Sequence, residues 1–127
     1  QRIAAILQNV QLSKDDSIFD VGCGNGLLYE VIKEKVKSYV GVDFSEAFIS
    51  ACRKKFTAFP QAEFYCSNVV NFCSQHQGIF SKAFLLDVTE HVPNEELLPI
   101  FKSIRTSLSA GGQLLFIRRI KVILSSS

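Results

Sequence analysis

Residues 20–26 read DVGCGNG, and this stretch decides the fold. It follows Ser17 to Val21, a short run whose composition predicts a buried strand. Apolar residues at helical spacing come after it, at Leu27, Leu28, Val31, Ile32 and Val36. Glycines between a strand and a helix let the backbone bend tightly and approach a ligand closely, and the backbone N–H groups there favour an anionic group. We therefore interpret residues 20–26 as a ligand-binding turn.

The alternation of strand and helix patterns continues along the chain. Further strands are predicted at Ser38–Asp43, Ala62–Cys66, Ile79–Leu86 and Gln113–Ile117. The first helical face is predicted at Ile3, Ile6, Leu7 and Val10. A second helix, capped by Ser45, has its predicted face at Ala47, Phe48, Ala51, Cys52 and Phe56. The last predicted face comprises Leu97, Ile100, Phe101, Ile104 and Leu108. Such alternation implies right-handed crossovers. The predicted fold class is α/β, with a mostly parallel sheet and helices on both of its faces.

Length and composition predict one globular domain over residues 1–127, with 47% hydrophobic and 20% charged residues. The net charge of +2, with no basic face, argues against a nucleic-acid partner. No apolar run approaches the roughly 20 residues that span a bilayer, and no signal-peptide pattern opens the chain. The chain contains no Met, so we expect it to be a processed or partial form of a longer protein.

Four cysteines, at positions 23, 52, 66 and 73, form neither a C-x-x-C pair nor two spaced pairs. This spacing argues against a zinc site. A chain this apolar does not need disulfides to stabilise its core. We therefore predict reduced thiols, mostly acting as small core residues, in a cytoplasmic protein without a bound metal.

The glycine spacing discriminates between nucleotide ligands. Dinucleotide enzymes use G-x-G-x-x-G, which requires a small residue at position 27. That position is Leu27, and the third glycine comes one residue early, which argues against an NAD-dependent oxidoreductase. The observed G-x-G-x-G, with an acid before it, resembles the first motif of the class I S-adenosylmethionine-dependent methyltransferases. The resemblance implies that the cofactor is bound by Asp20, Gly22, Cys23, Gly24 and Gly26.

The resemblance continues at the ends of the next two strands. Asp43, in the segment GVDFS, lies where the family places an acid, whose carboxylate can hold both ribose hydroxyls of the cofactor. Phe44 is interpreted as packing on the adenine, with a plain core residue as the alternative. Asn68 stands where the family usually has Asp, and its side-chain carbonyl can accept from the adenine amino group. Val69, beside it, is assigned to the same site.

Residues 85–92, LLDVTEHV, resemble the D/E-x-x-E-H-V/L segment of many small-molecule methyltransferases of the ubiquinone and menaquinone type. The resemblance implies that Asp87 borders the cofactor and that Glu90 and His91 orient the methyl acceptor. His91 is also a candidate general base, because the pKa of histidine lies near neutrality. The alternative interpretation is a hydrogen-bonded pair that steadies the loop.

These motifs predict methyl transfer from S-adenosylmethionine to a small-molecule acceptor, with S-adenosylhomocysteine as the product. The alternative is a non-catalytic methyltransferase-like module that binds the cofactor or a partner protein, which Asn68 and Ser81 favour because the family often has Asp at both positions. The family fold is a Rossmann-like three-layer sandwich with seven strands, so five strands predict a sandwich truncated after the fifth. The fifth strand then has an open, apolar edge at Leu114 to Leu124, for which we consider three explanations: the chain is a fragment, it forms a homodimer by strand pairing, or its tail covers the edge.

Overall fold

Strands and helices alternate along the chain in the computed structural model, which describes residues 2–89 and 93–119. The five helices of this part are Arg2–Leu7 (α1), Leu27–Ile32 (α2), Glu46–Lys55 (α3), Val69–Ser74 (α4) and Asn94–Ser107 (α5). Its five strands are Ser17–Val21 (β1), Ser38–Asp43 (β2), Ala62–Cys66 (β3), Phe80–Thr89 (β4) and Leu108–Arg119 (β5). Among these residues, no helix is both long enough and apolar enough to cross a membrane.

The strands form one sheet in the order β3-β2-β1-β4-β5, and every neighbouring pair is parallel. The chain builds outward from β1 through β2 to β3, and then returns to the other side of β1 with β4 and β5. The strand order therefore reverses between β1 and β4. In parallel α/β sheets, ligands bind at such a reversal, beyond the carboxyl ends of the strands. The loop at residues 22–26 follows β1 at this point.

Helices cover both faces of the sheet and divide the core into two clusters. One cluster joins α1, α2 and α3 to the sheet through aromatic rings, with Tyr29 and Tyr39 at 4.5 Å between ring centroids. The other joins α4 and α5 to the opposite face, where Phe19 stacks on Phe80 at 4.7 Å. Buried aromatic pairs of this kind add about 1 kcal/mol each beyond the area they bury. This three-layer arrangement confirms the predicted fold class.

A partly buried charge pair joins the residue before β1 to β4 at the end of the sheet opposite the glycine loop. The carboxylate of Asp16 accepts from Lys82 Nζ and from Ser81 Oγ, both at 2.8 Å. Ser81 Oγ also accepts the backbone N–H of Ser17 at 2.9 Å. Ser81, which stands where the family often has Asp, therefore joins the two central strands.

The predicted bounds of β1, β2 and β3 are confirmed, and the predicted face of α3 is confirmed at Cys52 and Phe56 but wrong at its other three residues. The buried residues of α3 are Ile49 and Cys52, and Ala47, Phe48 and Ala51 are exposed. Ser45 caps the helix as predicted, since its Oγ accepts the N–H of Phe48 at 3.1 Å. The buried positions 49, 52 and 56 recur at helical spacing and form the face that packs on the core, so positions 47, 48 and 51 lie on the opposite side of the helix and face solvent.

Candidate functional site

The loop at residues 22–26 has three glycines with positive φ, at 74° for Gly22, 54° for Gly24 and 82° for Gly26. L-amino acids other than glycine rarely adopt this conformation. A Cβ on Gly26 would lie 2.8 Å from the ring of Phe56 and 3.1 Å from Cys52 Sγ, so this glycine allows the loop to pack closely on α3. A Cβ on Gly22 or Gly24 would meet no atom within 4 Å. These two glycines therefore border open space.

Backbone hydrogen bonds attach this loop to the end of β2. The N–H groups of Gly22 and Cys23 both donate to the carbonyl oxygen of Val42, at 2.8 and 3.0 Å. The N–H of Gly24 donates to Asp43 Oδ2 at 2.9 Å. These three amides, which the sequence suggested as donors to an anionic ligand group, instead fix the loop against its neighbouring strand.

Asp43 is held in a defined orientation at the carboxyl end of β2. Its Oδ2 accepts from Gly24 N–H, and its Oδ1 accepts from Ser45 N–H, each at 2.9 Å. A carboxylate oxygen has two lone pairs, so each oxygen retains one acceptor position. The side chain can therefore accept two further hydrogen bonds side by side, which matches the two hydroxyls of a ribose.

A pocket of about 440 Å³ lies over the carboxyl ends of the strands. Its volume falls in the range of small-ligand sites. Apolar side chains dominate its wall, and Asp43 is the charged residue among them. The lining residues are Val21, Gly22, Val42, Asp43, Phe44, Ser67, Val69, Leu85, Leu86, Leu97 and Ile100. The pocket thus brings together four of the residues that the sequence assigned to the cofactor: Gly22, Asp43, Phe44 and Val69.

Phe44 lines this pocket, whereas Asn68 is not among its lining residues although its neighbours Ser67 and Val69 are. The side chain of Phe44 is 74% exposed, so it is not a core residue and presents its ring to solvent beside the pocket. Asn68 caps α4, and its Oδ1 accepts the N–H groups of Val70 at 2.8 Å and Asn71 at 3.2 Å. Both lone pairs of this carbonyl are used, so it is not available to an adenine amino group. The amide nitrogen is the part of Asn68 that can still donate.

Asp20 does not line the pocket but lies beneath the glycine loop, with only 3% of its surface exposed. The hydroxyl of Tyr39 donates to Asp20 Oδ2 at 2.5 Å. The pKa of Asp20 is raised to about 7, and burial is the largest cause. The nearby carboxylate of Asp43 also raises this pKa, whereas the hydrogen bond from Tyr39 lowers it. Sequence analysis missed Tyr39; its signal was a tyrosine in an otherwise apolar strand, two residues before Gly41.

The remaining predicted site residues are Cys23, Asp87, Glu90 and His91. Cys23 is buried in the loop, where burial raises the pKa of its thiol, so it is a packing residue rather than a nucleophile. Asp87 belongs to β4, next to the pocket residues Leu85 and Leu86, and its side chain is not among those described. Glu90 and His91 lie outside the described residues. Residues 2–89 and 93–119 contain no cluster of three His, Cys, Asp or Glu side chains placed to bind a metal ion.

The chain is similar to known methyltransferases. The ubiquinone biosynthesis O-methyltransferase of Idiomarina loihiensis is 30% identical over 100 residues, which are 78% of this chain and 40% of that protein. The chain therefore spans less than half the length of this curated relative.

Two solved structures share the fold. A SAM-dependent methyltransferase from Archaeoglobus fulgidus aligns with a TM-score of 0.65 at 20% identity, covering 85% of this chain and 47% of that one. Phosphoethanolamine N-methyltransferase 1 of Haemonchus contortus, solved with phosphoethanolamine and S-adenosylhomocysteine, aligns with a TM-score of 0.71 at 17% identity, covering 84% and 23%. At these identities the structures show the fold alone.

The model of a methyltransferase domain matches residues 18–112. These residues make up most of the chain, and they contain the glycine loop, Asp43 and the whole lining of the pocket. Because the match covers more than half of the chain, the chain belongs to the methyltransferase domain family.

Proposed function

We propose that residues 1–127 form a single S-adenosylmethionine-binding core that transfers a methyl group to a small-molecule acceptor. The observation that carries this proposal is the orientation of the Asp43 carboxylate and its remaining acceptor positions. Two backbone N–H groups orient its carboxylate, and both oxygens keep an acceptor position beside a 440 Å³ pocket. A vicinal diol, as in the ribose of S-adenosylmethionine, is the group that two such positions fit.

In this proposal, different residues around Asp43 contact different parts of the cofactor. The exposed ring of Phe44 supplies a face on which the adenine stacks, which is worth about 1–3 kcal/mol for a base on an aromatic side chain. Val69 and Ile100 provide apolar wall that excludes water from the nucleoside. The open space above Gly22 and Gly24 leaves room for the part of the cofactor that carries the sulfonium.

The cofactor supplies an activated methyl group, and the chain orients the acceptor toward it. Transfer forms a bond from the acceptor atom to the methyl carbon and breaks the carbon–sulfur bond, whose electron pair stays on sulfur as S-adenosylhomocysteine forms. An acceptor hydroxyl also loses its proton. Glu90 and His91 are the proposed residues for orienting that hydroxyl, with His91 receiving the proton. Holding the reacting atoms in line can contribute about 7–11 kcal/mol.

A small molecule with a hydroxyl group is the proposed acceptor. Support comes from the relative in Idiomarina loihiensis, which is named an O-methyltransferase of ubiquinone biosynthesis. The net charge of +2 does not favour a nucleic-acid acceptor.

We also propose a cytoplasmic location and a homodimer. All four cysteines are thiols, and three of them are buried, which suits a reducing compartment. In the described part of the chain, β5 is an edge strand of 12 residues that pairs with β4 alone. Long edge strands tend to pair with another chain. Sedimentation at high concentration tests the dimer, and a monomer there would contradict it.

Methyl transfer from radiolabelled S-adenosylmethionine to a panel of phenolic acceptors tests the proposed activity. Label should move to an acceptor with the wild-type chain and fall at least tenfold with His91→Asn. The same assay is made on the longest natural protein that contains these residues. If both proteins bind S-adenosylhomocysteine but neither transfers label, the proposed catalysis is contradicted and a binding module is favoured.

A further inference from the structure

Five side chains that carry a proton or a negative charge collect beneath the glycine loop, on the face of the sheet that α2 and α3 cover. They are Asp20, Cys23, Tyr39, Asp43 and Cys52. Asp20, Tyr39 and Cys52 are almost wholly buried. A buried polar cluster of this size is costly, and such clusters concentrate at functional sites.

Tyr39 reaches Asp20 through a space that a glycine provides. The parallel register aligns Asp20 on β1 with Gly41 on β2, and Tyr39 precedes Gly41 by two residues on the same face. A Cβ on Gly41 would lie 2.9 Å from the hydroxyl oxygen of Tyr39 and 2.9 Å from Cys23 Cβ. The missing side chain at Gly41 therefore lets the phenol cross to the neighbouring strand and donate to Asp20 at 2.5 Å.

The groups around Asp20 come from every element packed against it. They are Tyr39 and Asp43 from β2, Cys23 from the glycine loop, Cys52 and Lys55 from α3, and Tyr29 from α2, whose ring contacts Tyr39. On β4 the residue aligned with Asp20 is the apolar Phe84. Lys55, the basic group of this set, acts on Cys52. The direct partners of Asp20 are thus acids, and one of them, Asp43, opposes its ionisation.

These relationships rest on the proposed function and extend it. We propose that Asp20 is a proton-linked counter-charge for the cationic cofactor: the carboxyl releases its proton when a cation enters the crevice above the glycine loop, and Tyr39 is the positioning residue that sets the pH of this change. S-adenosylmethionine carries one positive charge more than S-adenosylhomocysteine. The site therefore favours substrate cofactor over product more strongly when Asp20 is ionised.

The sign of the effect follows from linkage. Burial raises the pKa of Asp20 to about 7 in the chain without ligand, against the hydrogen bond from Tyr39, which lowers it. A nearby cation lowers this pKa. Affinity for the cation then increases as the pH rises toward 7 and is constant above it. One unit of pKa change corresponds to a tenfold change in affinity.

Calorimetry with both compounds between pH 5.5 and 8 tests the proposal. The affinity ratio of S-adenosylmethionine to S-adenosylhomocysteine should rise about fivefold to tenfold over this range, with proton release visible as a dependence of the heat on the buffer. Asp20→Asn should abolish the rise. Tyr39→Phe should move its midpoint above pH 7, because the hydrogen bond lowers the pKa of Asp20.

Tyr65→Phe is the matched control. Its hydroxyl also donates to a carboxylate, Glu63 Oε1, at 2.5 Å, but the pair is exposed on β3, away from the glycine loop. This variant should keep the wild-type midpoint. If Asp20→Asn does not fold, carbon-13 NMR of the wild-type aspartate carboxyls replaces it, and the Asp20 midpoint should fall when S-adenosylmethionine is added.

The outcomes separate the two proposals. If both compounds bind but their affinity ratio stays flat with pH, or the NMR midpoint does not move, the role of Asp20 is overturned and the proposed function stands. If neither compound binds at any pH, the proposed function fails, and the role of Asp20 fails with it.

Discussion

Asp43 Oδ2 accepts the backbone N–H of Gly24 at 2.9 Å, and this bond joins the end of β2 to the loop after β1. The two residues are 19 positions apart in the chain, and the bond holds the glycine loop beside Asp43, which lines the pocket. The same carboxylate that keeps acceptor positions for a diol also fixes the glycine loop. Loop geometry and ligand recognition are therefore linked through one side chain.

Gly26→Ala should destabilise the fold. The new Cβ would lie 2.8 Å from the ring of Phe56, at a backbone φ of 82°. We expect the free energy of unfolding to fall by about 2–4 kcal/mol, from overpacking and left-handed strain together. Urea denaturation measures it. Gly78→Ala is the control, since Gly78 has a φ of 66° and open space around its Cβ position, and it should lose only about 1–2 kcal/mol. Equal losses would contradict the packing role of Gly26.

Lys82→Met should make the stability of the chain less dependent on acid pH. Burial raises the pKa of Asp16, but the hydrogen bonds from Lys82, Ser81 and the N–H of Ser13 outweigh it and leave the pKa below its ordinary value. Asp16 therefore contributes stability above its ordinary pKa, and this is lost as the pH falls through the lowered value. Without Lys82 the burial of Asp16 is opposed by fewer hydrogen bonds, so its pKa should rise and the variant should lose less stability on acidification than the wild type does.

At neutral pH the same substitution should cost about 1–3 kcal/mol of unfolding free energy, because it removes the cation from a partly buried carboxylate that keeps its hydrogen bonds from Ser81 and Ser13. Chemical denaturation at pH 7 and pH 3 measures both effects, and the deficit of the variant relative to the wild type should be smaller at pH 3. Lys33→Met, which breaks the exposed pair with Glu30, should cost less than about 1 kcal/mol. A Lys82 variant that behaves like the Lys33 variant would refute the structural role of the Asp16 pair.

Asn68→Ala should lower the free energy of unfolding by about 1 kcal/mol, since it removes the cap that accepts two backbone N–H groups of α4. Asn68→Asp keeps an acceptor oxygen and should retain the stability of the wild type near neutral pH. Thermal unfolding of both variants provides the comparison. An alanine variant as stable as the wild type would show that the cap is not formed in solution.

Phe44→Ala should weaken binding of S-adenosylhomocysteine by about 1–3 kcal/mol while leaving stability almost unchanged. The ring is largely exposed, so its removal leaves no cavity in the core. Phe48→Ala is the matched control, because Phe48 is also exposed but does not line the pocket. Equal affinities for the two variants would remove Phe44 from the adenine site.

The sequence predicted the central strands, because buried runs bounded by glycine or polar residues have few alternative structures, and it placed the candidate site at the end of the sheet where the pocket lies. It did not predict the bond between Tyr39 and Asp20, since that contact depends on the register of two strands. It also assigned the carbonyl of Asn68 to a ligand, although a local helix cap uses it. Patterns within a segment are visible in one chain, whereas hydrogen-bond partners across segments are not.

Calorimetric titration with S-adenosylhomocysteine of the wild type, Asp43→Ala and Asp15→Ala tests the central claim most directly. Asp15 is an exposed carboxylate outside the pocket, so its loss should leave the dissociation constant unchanged. Asp43→Ala should raise that constant by about tenfold to a hundredfold, the range for losing hydrogen bonds to a charged group. A wild type that binds with the same affinity as a folded Asp43→Ala variant, or that does not bind at all, would contradict the account.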